Sequence, residues 1–310
     1  IVPTHADFRR GAAVVSVAQN KILVIRGGAI GDFILTLPVL SALRAQFPNT
    51  SLELLGYPHI AQLARAGKLV DRVHSIDARP MAGFFARRGQ LSAPLADFFA
   101  GFAIIISYLY DPDGIFRDNV ARVSKAQFIA GPHRPDEQAG VHASQVFLEP
   151  LKRLAIFDAD PVPRLNLSMT ERQRIIALHP GSGSEKKNWP EGNWRELIRK
   201  LSGSRLLLVG GEAEEGRLDR LSAAAPCELA RSLPLAELAG RLGACSLFMG
   251  HDSGISHLAA AVGVPTLVLW GDTSEAVWQP LGAHVTLLRN LTQISVETVF
   301  SAVQSKRPPH

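Results

Sequence analysis

The stretch that decides the fold is residues 247–271, which read LFMGHDSGISHLAAAVGVPTLVLWG. A short apolar run at 247–249 leads into a polar turn at 250–253, and a small apolar segment at 255–262 is compatible with a helix. A glycine ends that segment, and the apolar run at 265–270 is typical of a strand. The order strand, polar turn, helix, strand predicts one βαβ unit of a parallel α/β sheet.

The polar turn of this unit has the chemistry of an anion site. In a parallel α/β sheet such a turn lies at the carboxyl edge of the strands, where ligands bind. Ser253 and Gly254 come at the predicted helix start, where free backbone N–H groups and the helix dipole favour phosphate. A purely structural interpretation is also open, in which Asp252 or Ser253 only caps the helix.

The same alternation of strands and helices runs through the rest of the chain, and a helix is predicted from the turn after the first strand to Phe47. The segment DADPVP at 158–163 is typical of a linker, because proline and the residue before it disfavour helix. We therefore predict an α/β protein of two doubly wound domains, 1–158 and 159–310. The strands predicted from apolar runs lie at 21–26, 51–55, 72–76, 102–107, 126–130, 175–178, 205–209, 228–230, 247–249, 265–270 and 284–288.

Composition narrows the class of protein. The chain has 310 residues, of which 46% are hydrophobic and 20% charged, as is ordinary for a soluble globular protein of about two domains. Cys227 and Cys245 define no disulfide framework or metal cluster, and they fit core positions in a reducing compartment. Residues 1–20 have no long apolar core of the signal-peptide kind, and the apolar run at 102–109 is too short to span a bilayer. We therefore expect a cytoplasmic protein.

The net charge of +5 is concentrated in the first half of the chain. Residues 1–158 hold 17 Lys and Arg against 13 Asp and Glu, whereas the remainder holds 16 against 15. Basic pairs such as Arg9-Arg10 and Arg87-Arg88 are usually solvated surface, but such an excess also attracts an anionic partner or membrane surface. No RNA-binding motif and no basic run interleaved with aromatics points to nucleic acid.

Four turns fall at the carboxyl ends of predicted strands, at 27–32, 179–187, 210–215 and 250–253. Together they are expected to line one cleft. The turn at 179–187 carries hydroxyls, flexible glycines and two lysines, which suit a diphosphate, although a solvated loop has the same composition. His251 and His257 are six residues apart and do not share a helix face, so they give no metal-ligand spacing.

Asp32 opens the helix that follows the first strand. The helix dipole favours a carboxylate in that position, and such a carboxylate can act as a base if it faces the cleft. The glycines at 27–31 lack the G-x-G-x-x-G spacing, so an NAD-linked oxidoreductase is a weak alternative.

Three motifs taken together carry a family resemblance. They are KILVIRGGAIGDFILTLPVL at 21–40, HPGSGSEKKNWP at 179–190 with NWREL at 193–197, and GHDSGISHLA at 250–259, which is followed by PTLVLWGDT at 265–273. Their types and order resemble glycosyltransferase family 9, the lipopolysaccharide heptosyltransferase family. Three motifs that span both halves are far more specific than any one of them.

The resemblance implies a GT-B fold, in which two Rossmann-like domains face each other across a cleft. The first domain would meet the acceptor and the second the nucleotide-sugar, in an inverting enzyme that needs no metal and no other cofactor. By motif position, Asp32 is implied to be the base that deprotonates the acceptor hydroxyl, and Gly28 and Gly31 belong to its loop. Glu212 or Glu215 is implied to meet the sugar or ribose of the donor. The donor and phosphate residues implied are Ser182, Ser184, Lys187, Asp252, Ser253, Gly254 and His257.

The family also implies partners and a location. ADP-heptose is the favoured donor, and a lipid-linked anionic glycan such as a lipopolysaccharide core is the acceptor, met by peripheral association with the inner face of the cytoplasmic membrane. The chain departs from the family pattern at His251, where Asn is frequent, and at Asp272, where many relatives have Pro. Two alternatives stay open: a different nucleotide-sugar donor, or a nucleotide-sugar-binding protein without transfer activity.

Overall fold

A computed structural model describes residues 21–167 and 171–306 of the chain. Within these residues, each half of the chain forms one parallel sheet with helices packed against it. The expectation for residues 1–20, including the basic pair Arg9-Arg10, lies outside the described residues.

The first sheet has five parallel strands in the order β3-β2-β1-β4-β5. All five predicted strands are confirmed, with ends that differ by at most about two residues, the usual uncertainty of strand and helix ends. The strands are β1 (Lys21–Arg26), β2 (Ser51–Gly56), β3 (Arg72–Ser75), β4 (Ile104–Ser107) and β5 (Gln127–Ala130).

The second sheet has six parallel strands in the order β11-β10-β9-β6-β7-β8. Its six predicted strands are also confirmed. They are β6 (Gln173–Leu178), β7 (Arg205–Gly210), β8 (Glu228–Arg231), β9 (Cys245–His251), β10 (Thr266–Leu269) and β11 (Val285–Leu288).

Helices connect successive strands, as parallel pairing requires. The α-helices are α1 (Ile30–Ile34), α2 (Leu37–Gln46), α3 (Pro58–Ala66), α4 (Ala93–Ala100), α5 (Ile115–Ala121), α6 (Ala143–Leu148), α7 (Glu191–Lys200), α8 (Glu215–Ser222), α9 (Leu235–Gly243), α10 (Gly254–Ala261), α11 (Glu275–Trp278) and α12 (Val296–Ser305). Short 3₁₀ turns add Arg79–Phe85, Glu137–Ala139, Glu149–Leu154, Glu185–Lys187, Glu212–Glu214 and Leu291–Gln293.

Burial on both faces explains the uninterrupted apolar runs of the central strands. In β1, Ile22 and Val24 belong to one core cluster, and Leu23 and Ile25 belong to the cluster on the opposite face. A strand that is covered on both faces needs apolar residues at every position, not at every second one. The strands were therefore recognisable in the sequence without an alternating pattern.

Each sheet reverses its strand order at a defined point, between β1 and β4 in the first sheet and between β6 and β9 in the second. In open α/β sheets, ligands bind in the crevice at the carboxyl ends of the strands where the order reverses. The turns that follow β1, β6 and β9 carry the three sequence motifs. The topology therefore brings these motifs to the two reversal points.

The two domains touch closely where α1 meets α10. A Cβ atom placed on Gly254 would lie 2.8 Å from Ile30 Cβ and 2.9 Å from the backbone nitrogen of Gly31. A Cβ atom placed on Gly31 would lie 3.6 Å from Gly254 Cα. A side chain at Gly254 would clash with the first domain, whereas the contacts at Gly31 are ordinary, so the glycine at 254 lets the starts of the two helices face one cavity.

Two local predictions were wrong, and one helix was not predicted. The helix predicted to continue to Phe47 is interrupted between α1 and α2, because Pro38 fits the first turn of a new helix but not the interior of a continuous one. Helix α5 was missed, since it has only seven residues and begins after Gly114, whose φ is +67°. His251, predicted to lie in a turn, is the buried last residue of β9.

The expectations for the cysteines, for membrane-spanning segments and for the domain boundary have different outcomes. Cys245 is buried, whereas Cys227 is half-buried at the edge of the core, and neither forms a disulfide. None of the helices in the described ranges is long and apolar enough to cross a bilayer. The domain boundary at 158 stays a prediction.

The close contact between the domains predicts that Gly254→Ala is destabilising. The added methyl group would meet Ile30 and the backbone of Gly31, so we expect a loss of about 1–3 kcal/mol in the free energy of unfolding, as for other overpacked sites. Gly240→Ala is the matched control, because Gly240 lies in α9 with nothing within 4 Å of an added Cβ. That control should gain about 0.5–1 kcal/mol from helix propensity alone. Urea unfolding of both variants measures the difference, and equal gains in both would contradict the contact.

Candidate active site

A cavity of about 1100 Å³ lies between the two domains at the carboxyl edges of both sheets. Of the four turns that were expected to line one cleft, those after β1, β6 and β9 do so. The fourth turn, after β7, does not contribute to the lining. The predicted residues that line the cavity are Gly28, Gly31, Asp32, Ser184, Lys187, Asp252, Ser253, Gly254 and His257.

Asp32 is both a helix-start carboxylate and a cavity residue. It is the third residue of α1, and its Oδ2 accepts a hydrogen bond from the backbone N–H of Ala29 at 3.2 Å. Its side chain is 31% exposed and lines the cavity. The structural and the functional interpretations of Asp32 are therefore compatible, since one carboxylate oxygen can cap the helix while the group faces a ligand.

Arg26, at the end of β1, was not recognised from the sequence as a site residue. Its buried guanidinium donates to the carbonyl of His133 at 2.9 Å and to the carbonyl of Asp32 at 3.3 Å. Its Nη2 also lies 3.9 Å from Asp32 Oδ1, and the ring of Phe147 lies 4.5 Å from its Cζ. Burial lowers the pKa of Arg26, and the charge of Asp32 opposes that effect. The sequence feature that could have indicated Arg26 is a single charged residue at the end of an apolar strand.

Lys187 is held at the cavity wall by an ion pair. Its Nζ lies 2.6 Å from Oδ2 of Asp252, which follows β9 directly. The carboxylate is largely buried, whereas the lysine side chain is 42% exposed. Asp252 therefore positions a partly exposed ammonium group beside the start of α10.

The start of α10 has the predicted geometry. Ser253 is the N-cap residue, and its Oγ accepts from the backbone N–H of Ser256 at 3.4 Å. Gly254 is the first helical residue and lines the cavity. The capping interpretation of Ser253 is confirmed, and it does not exclude an anion, because the first amides of a helix have no partner within the helix.

The loop after β6 is braced from the neighbouring helix α8. Arg217 donates to the carbonyl of Pro180 at 2.9 Å and to both oxygens of Glu185 at 2.8 Å. Ser182 donates to the carbonyl of Ser184 at 2.7 Å and lies outside the cavity lining, whereas Ser184 lies within it. The loop is therefore ordered by its own contacts, and of the two serines it is Ser184 that faces the cavity.

His251 joins this loop to β9. Its Nε2 accepts a hydrogen bond from the backbone N–H of Trp189 at 2.8 Å, so the proton of the neutral ring is on Nδ1, which donates to the carbonyl of Gly181 at 3.2 Å. The indole of Trp194 packs edge-on against the ring, with centroids 5.4 Å apart. Burial lowers the pKa of His251 to about 4. The ring therefore acts as a neutral clamp that fixes both ends of the loop.

Two further histidines near the cavity are kept neutral by burial. Desolvation lowers the pKa of His179 to about 3 and the pKa of His257 to about 4. Nδ1 of His179 lies 3.4 Å from Ser253 Oγ, and the ring of His257 lies against Gly31 of the first domain. In the described ranges, no group of three or more His, Cys, Asp or Glu side chains could hold a metal ion.

Glu212 and Glu215 lie apart from the cavity. Both are exposed, one in the 3₁₀ turn after β7 and the other at the start of α8. Their neighbour Glu214 instead packs against Gly181, where an added Cβ would lie 2.4 Å from Glu214 Cγ. The contact of Glu212 or Glu215 with a donor stays a prediction.

A polar contact between the domains closes one side of the cavity, and no pattern in the sequence predicted it. Glu137 of the first domain accepts from the indole N–H of Trp278 at 3.1 Å and pairs with Arg134 at 3.0 Å. The guanidinium of Arg134 lies over the Trp278 ring at 5.4 Å. Nearby, Nε2 of His142 donates to the carbonyl of Gln279 at 2.9 Å.

The two walls of the cavity thus carry different functional groups. The first domain presents a carboxylate that is held by a buried arginine, and the second presents an ammonium, hydroxyls and a helix start. A ligand that carries phosphates on one side and a hydroxyl to be deprotonated on the other would match both walls.

Known proteins resemble this chain in sequence and in fold. The family model of glycosyltransferase family 9 (heptosyltransferase) matches residues 146–305. Lipopolysaccharide heptosyltransferase 1 of Pseudomonas aeruginosa is 39% identical over 130 residues, which are 40% of this chain and 33% of that protein. Lipopolysaccharide heptosyltransferase 1 of Escherichia coli K12 is 30% identical over 148 residues, 45% of this chain and 46% of that protein. The matches therefore span less than half the length of these curated relatives.

Solved structures show the same fold over nearly the whole chain. The glycosyl transferase family 9 protein of Veillonella parvula aligns with a TM-score of 0.76 at 18% identity, over 92% of this chain and 96% of that one. The E. coli heptosyltransferase WaaC with ADP aligns with a TM-score of 0.71 at 21% identity, over 92% and 99%. The likeness confirms the predicted GT-B fold of two Rossmann-like domains across a cleft.

Because buried His251 is neutral in the folded protein, the free energy of unfolding should depend on pH. Because the pKa of His251 is about 4 when folded and near 6.5 when unfolded, the unfolded chain binds a proton between these values. The contribution of this ring is complete above about pH 6.5 and is lost as the pH falls towards 4. His251→Ala should lower the free energy of unfolding by about 2 kcal/mol or more at pH 7, since it leaves a buried N–H and a carbonyl unpaired. Urea unfolding between pH 4 and 7 should also show a flatter profile for this variant.

Exposed His59 supplies the control for that measurement. His59→Ala should keep both the stability at pH 7 and the slope of the wild-type profile. A His251→Ala profile as steep as that of the wild type would show that His251 does not contribute to the loss of stability at low pH.

Proposed function

The chain belongs to glycosyltransferase family 9, and on that premise we propose that it transfers a sugar, heptose from ADP-heptose, onto a lipopolysaccharide core or related surface glycan. The observation that carries the proposal is a single cavity with Asp32 on one wall and Lys187 with the start of α10 on the other. The names of the relatives and the WaaC structures with ADP and with ADP-2-deoxy-2-fluoro heptose support this choice of donor and acceptor.

The donor lies against the second domain in this proposal. Its diphosphate contacts the ammonium of Lys187, the hydroxyl of Ser184 and the N–H groups at Ser253 and Gly254. These groups stabilise the negative charge that develops as the diphosphate leaves. The Asp252 carboxylate, 2.6 Å from Lys187 Nζ, keeps the ammonium in place before the donor arrives.

The acceptor lies against the first domain. Asp32 removes the proton of the acceptor hydroxyl as the oxygen attacks the anomeric carbon, and the nucleoside diphosphate leaves from the opposite face. One displacement of this kind inverts the configuration at that carbon. Arg26, which donates to the Asp32 carbonyl at 3.3 Å, keeps the carboxylate in position for the transfer.

No metal ion takes part in this proposal. The charge of the leaving diphosphate is met by Lys187 and by the dipole of α10, which has eight residues and begins at the cavity. The direct test is an assay of purified protein with a panel of ADP-sugars and other nucleotide sugars, in the presence of EDTA. Transfer from ADP-heptose under these conditions supports the proposal, and strict dependence on added Mg²⁺ would contradict the metal-free mechanism.

Asp32→Asn separates an enzyme from a binding protein. The amide keeps the size of the side chain and one hydrogen-bonding oxygen but cannot accept the proton. Turnover should therefore fall by roughly 10²–10⁴, the usual loss for a general base. Donor affinity, measured by calorimetric titration, should stay nearly unchanged, because the phosphates contact the other wall.

Lys187→Ala provides the contrast for that variant. It should weaken donor binding and lower the rate as well, since the lost charge meets both the bound diphosphate and the leaving group. If Asp32→Asn keeps near-full turnover, Asp32 only stabilises the helix start, and the base must be another residue.

The same proposal places the protein at an anionic membrane surface through its first domain. Phe85 is 46% exposed at the end of a 3₁₀ turn, and the side chain of Arg87 beside it is 75% exposed. The adjoining Arg88 is also exposed, so an apolar tip lies beside two cations, of which Arg87 pairs with Asp113 at 3.3 Å. Such a surface is attracted to anionic headgroups and buries apolar area among them.

Vesicle binding tests this surface. Replacing Arg87 and Arg88 together by Ser should weaken binding to vesicles with anionic lipid by roughly tenfold or more, at about 1 kcal/mol for each charge. Replacing Arg199 and Arg205 by Ser removes the same charge from exposed sites in the second domain and should change binding little. Wild-type binding should weaken as salt rises. Equal binding to neutral and anionic vesicles at every salt concentration would refute the proposal.

A further inference from the structure

Tyr110 is an exposed aromatic residue in the wall of the cavity. It follows β4 by three residues, lines the cleft and is 72% exposed. It belongs to none of the three core clusters, although its neighbour Leu109 packs against the core of the first domain. Packing in the core therefore does not account for an aromatic ring at position 110. The exposed surface of the Tyr110 ring lies in the wall of the cavity.

The ring of Tyr110 is nevertheless held in place. It packs on the ring of His133, with centroids 4.6 Å apart and planes 58° apart. The carbonyl of His133 accepts from Arg26 at 2.9 Å, and the same guanidinium donates to the carbonyl of Asp32. One buried cation therefore fixes both the aromatic pair and the proposed base.

A second cavity begins on the other side of this pair. It has a volume of about 240 Å³, and Tyr110 and His133 line both it and the main cavity. Ser107, Asp111 and Arg117 also line it, so it offers a hydroxyl, a carboxylate and a guanidinium that pairs with Asp118 at 3.2 Å. A chain of sugars could therefore lie across the aromatic pair and reach from the main cavity into the smaller one.

We propose that Tyr110 and His133 form a stacking platform for a pyranose ring of the acceptor glycan, beside the hydroxyl that Asp32 deprotonates. A pyranose has an apolar C–H face and polar edges, and tyrosine combines an apolar ring with a polar tip. The face of the sugar lies on Tyr110, and its hydroxyls are left free for hydrogen bonds. The adjoining sugar or phosphate of the acceptor enters the smaller cavity near Arg117.

The charges of the cleft favour the acceptor over the donor as the occupant of this platform. The phosphate-binding groups, Lys187 and the start of α10, lie in the second domain, whereas Tyr110 lies on the same domain as Asp32. A donor anchored by its phosphates leaves the wall of the first domain open to the second substrate. The inference rests on the proposed function, because it needs an acceptor hydroxyl near Asp32.

Kinetics with two variants test the platform. The acceptor probe is lipopolysaccharide from a heptose-deficient strain, freed of its fatty acyl chains. Tyr110→Ala should raise the KM for this probe by about tenfold, the effect of losing one aromatic contact, while kcat and the KM for ADP-heptose stay within about twofold. Tyr110→Phe keeps the ring and should stay within about twofold of the wild type in all three. Phe157→Ala is the matched control, because Phe157 is 65% exposed and lies outside both cavities.

Direct binding separates a failure of the platform from a failure of the proposed transfer. Saturation-transfer NMR reports whether the ring protons of the probe contact the protein, with or without turnover. Loss of that signal in Tyr110→Ala and its retention in Tyr110→Phe support the platform, even if no transfer occurs. An unchanged signal and unchanged acceptor KM in Tyr110→Ala would overturn it. Absence of binding to the wild-type protein would overturn it as well, whatever the outcome of ADP-heptose hydrolysis.

Discussion

The contact between Gly31 and Gly254 is the constraint on which the rest of the site depends. Each glycine lies in the first turn of a helix that follows a central strand, and Gly254 has no room for a side chain. The approach sets the positions of the two helix starts relative to each other. Asp32 follows one glycine and Ser253 precedes the other, so the distance between the carboxylate and the start of α10 is fixed by backbone contact. Backbone contact allows less adjustment than contact between long side chains, which suits the proposed transfer between two substrates held in line.

Buried polar side chains reinforce this arrangement in each domain. Arg26 in the first domain and His251 in the second both end a central strand, and each bonds to backbone groups of the adjoining loops. Burial of such groups is costly unless they are hydrogen-bonded, and their bonds specify one loop conformation, although the buried Nε of Arg26 has no partner among the described residues. The two side chains differ in charge, and each charge state fits its surroundings. The charged arginine lies beside a carboxylate, and the neutral histidine lies between an N–H donor and a carbonyl acceptor.

The strands and the helix start at 253–254 were predictable because local chemistry decides them. β1, which is covered on both faces, is apolar at each of its inner positions 22–25, and serine is a favoured residue at a helix N-cap such as Ser253. The break between α1 and α2 depends on Pro38, which the apolar pattern around it obscured. The extension of β9 to His251 depends on pairing with Leu269 of β10, a partner that the sequence of β9 does not specify.

The sequence by itself determined the two doubly wound sheets, their motifs at the strand ends and the residue types of an anion site, because these follow from hydrophobic pattern and turn chemistry over a few residues. Only the tertiary structure decided which of those residues share a cavity. It placed Lys187 against Asp252 across a separation of 65 residues, left Glu212 and Glu215 outside the cavity, and put Tyr110 and His133 in the same cavity as Asp32. The physical reason is that such contacts depend on strand order and on the packing of one domain against the other, which no short stretch of the chain encodes.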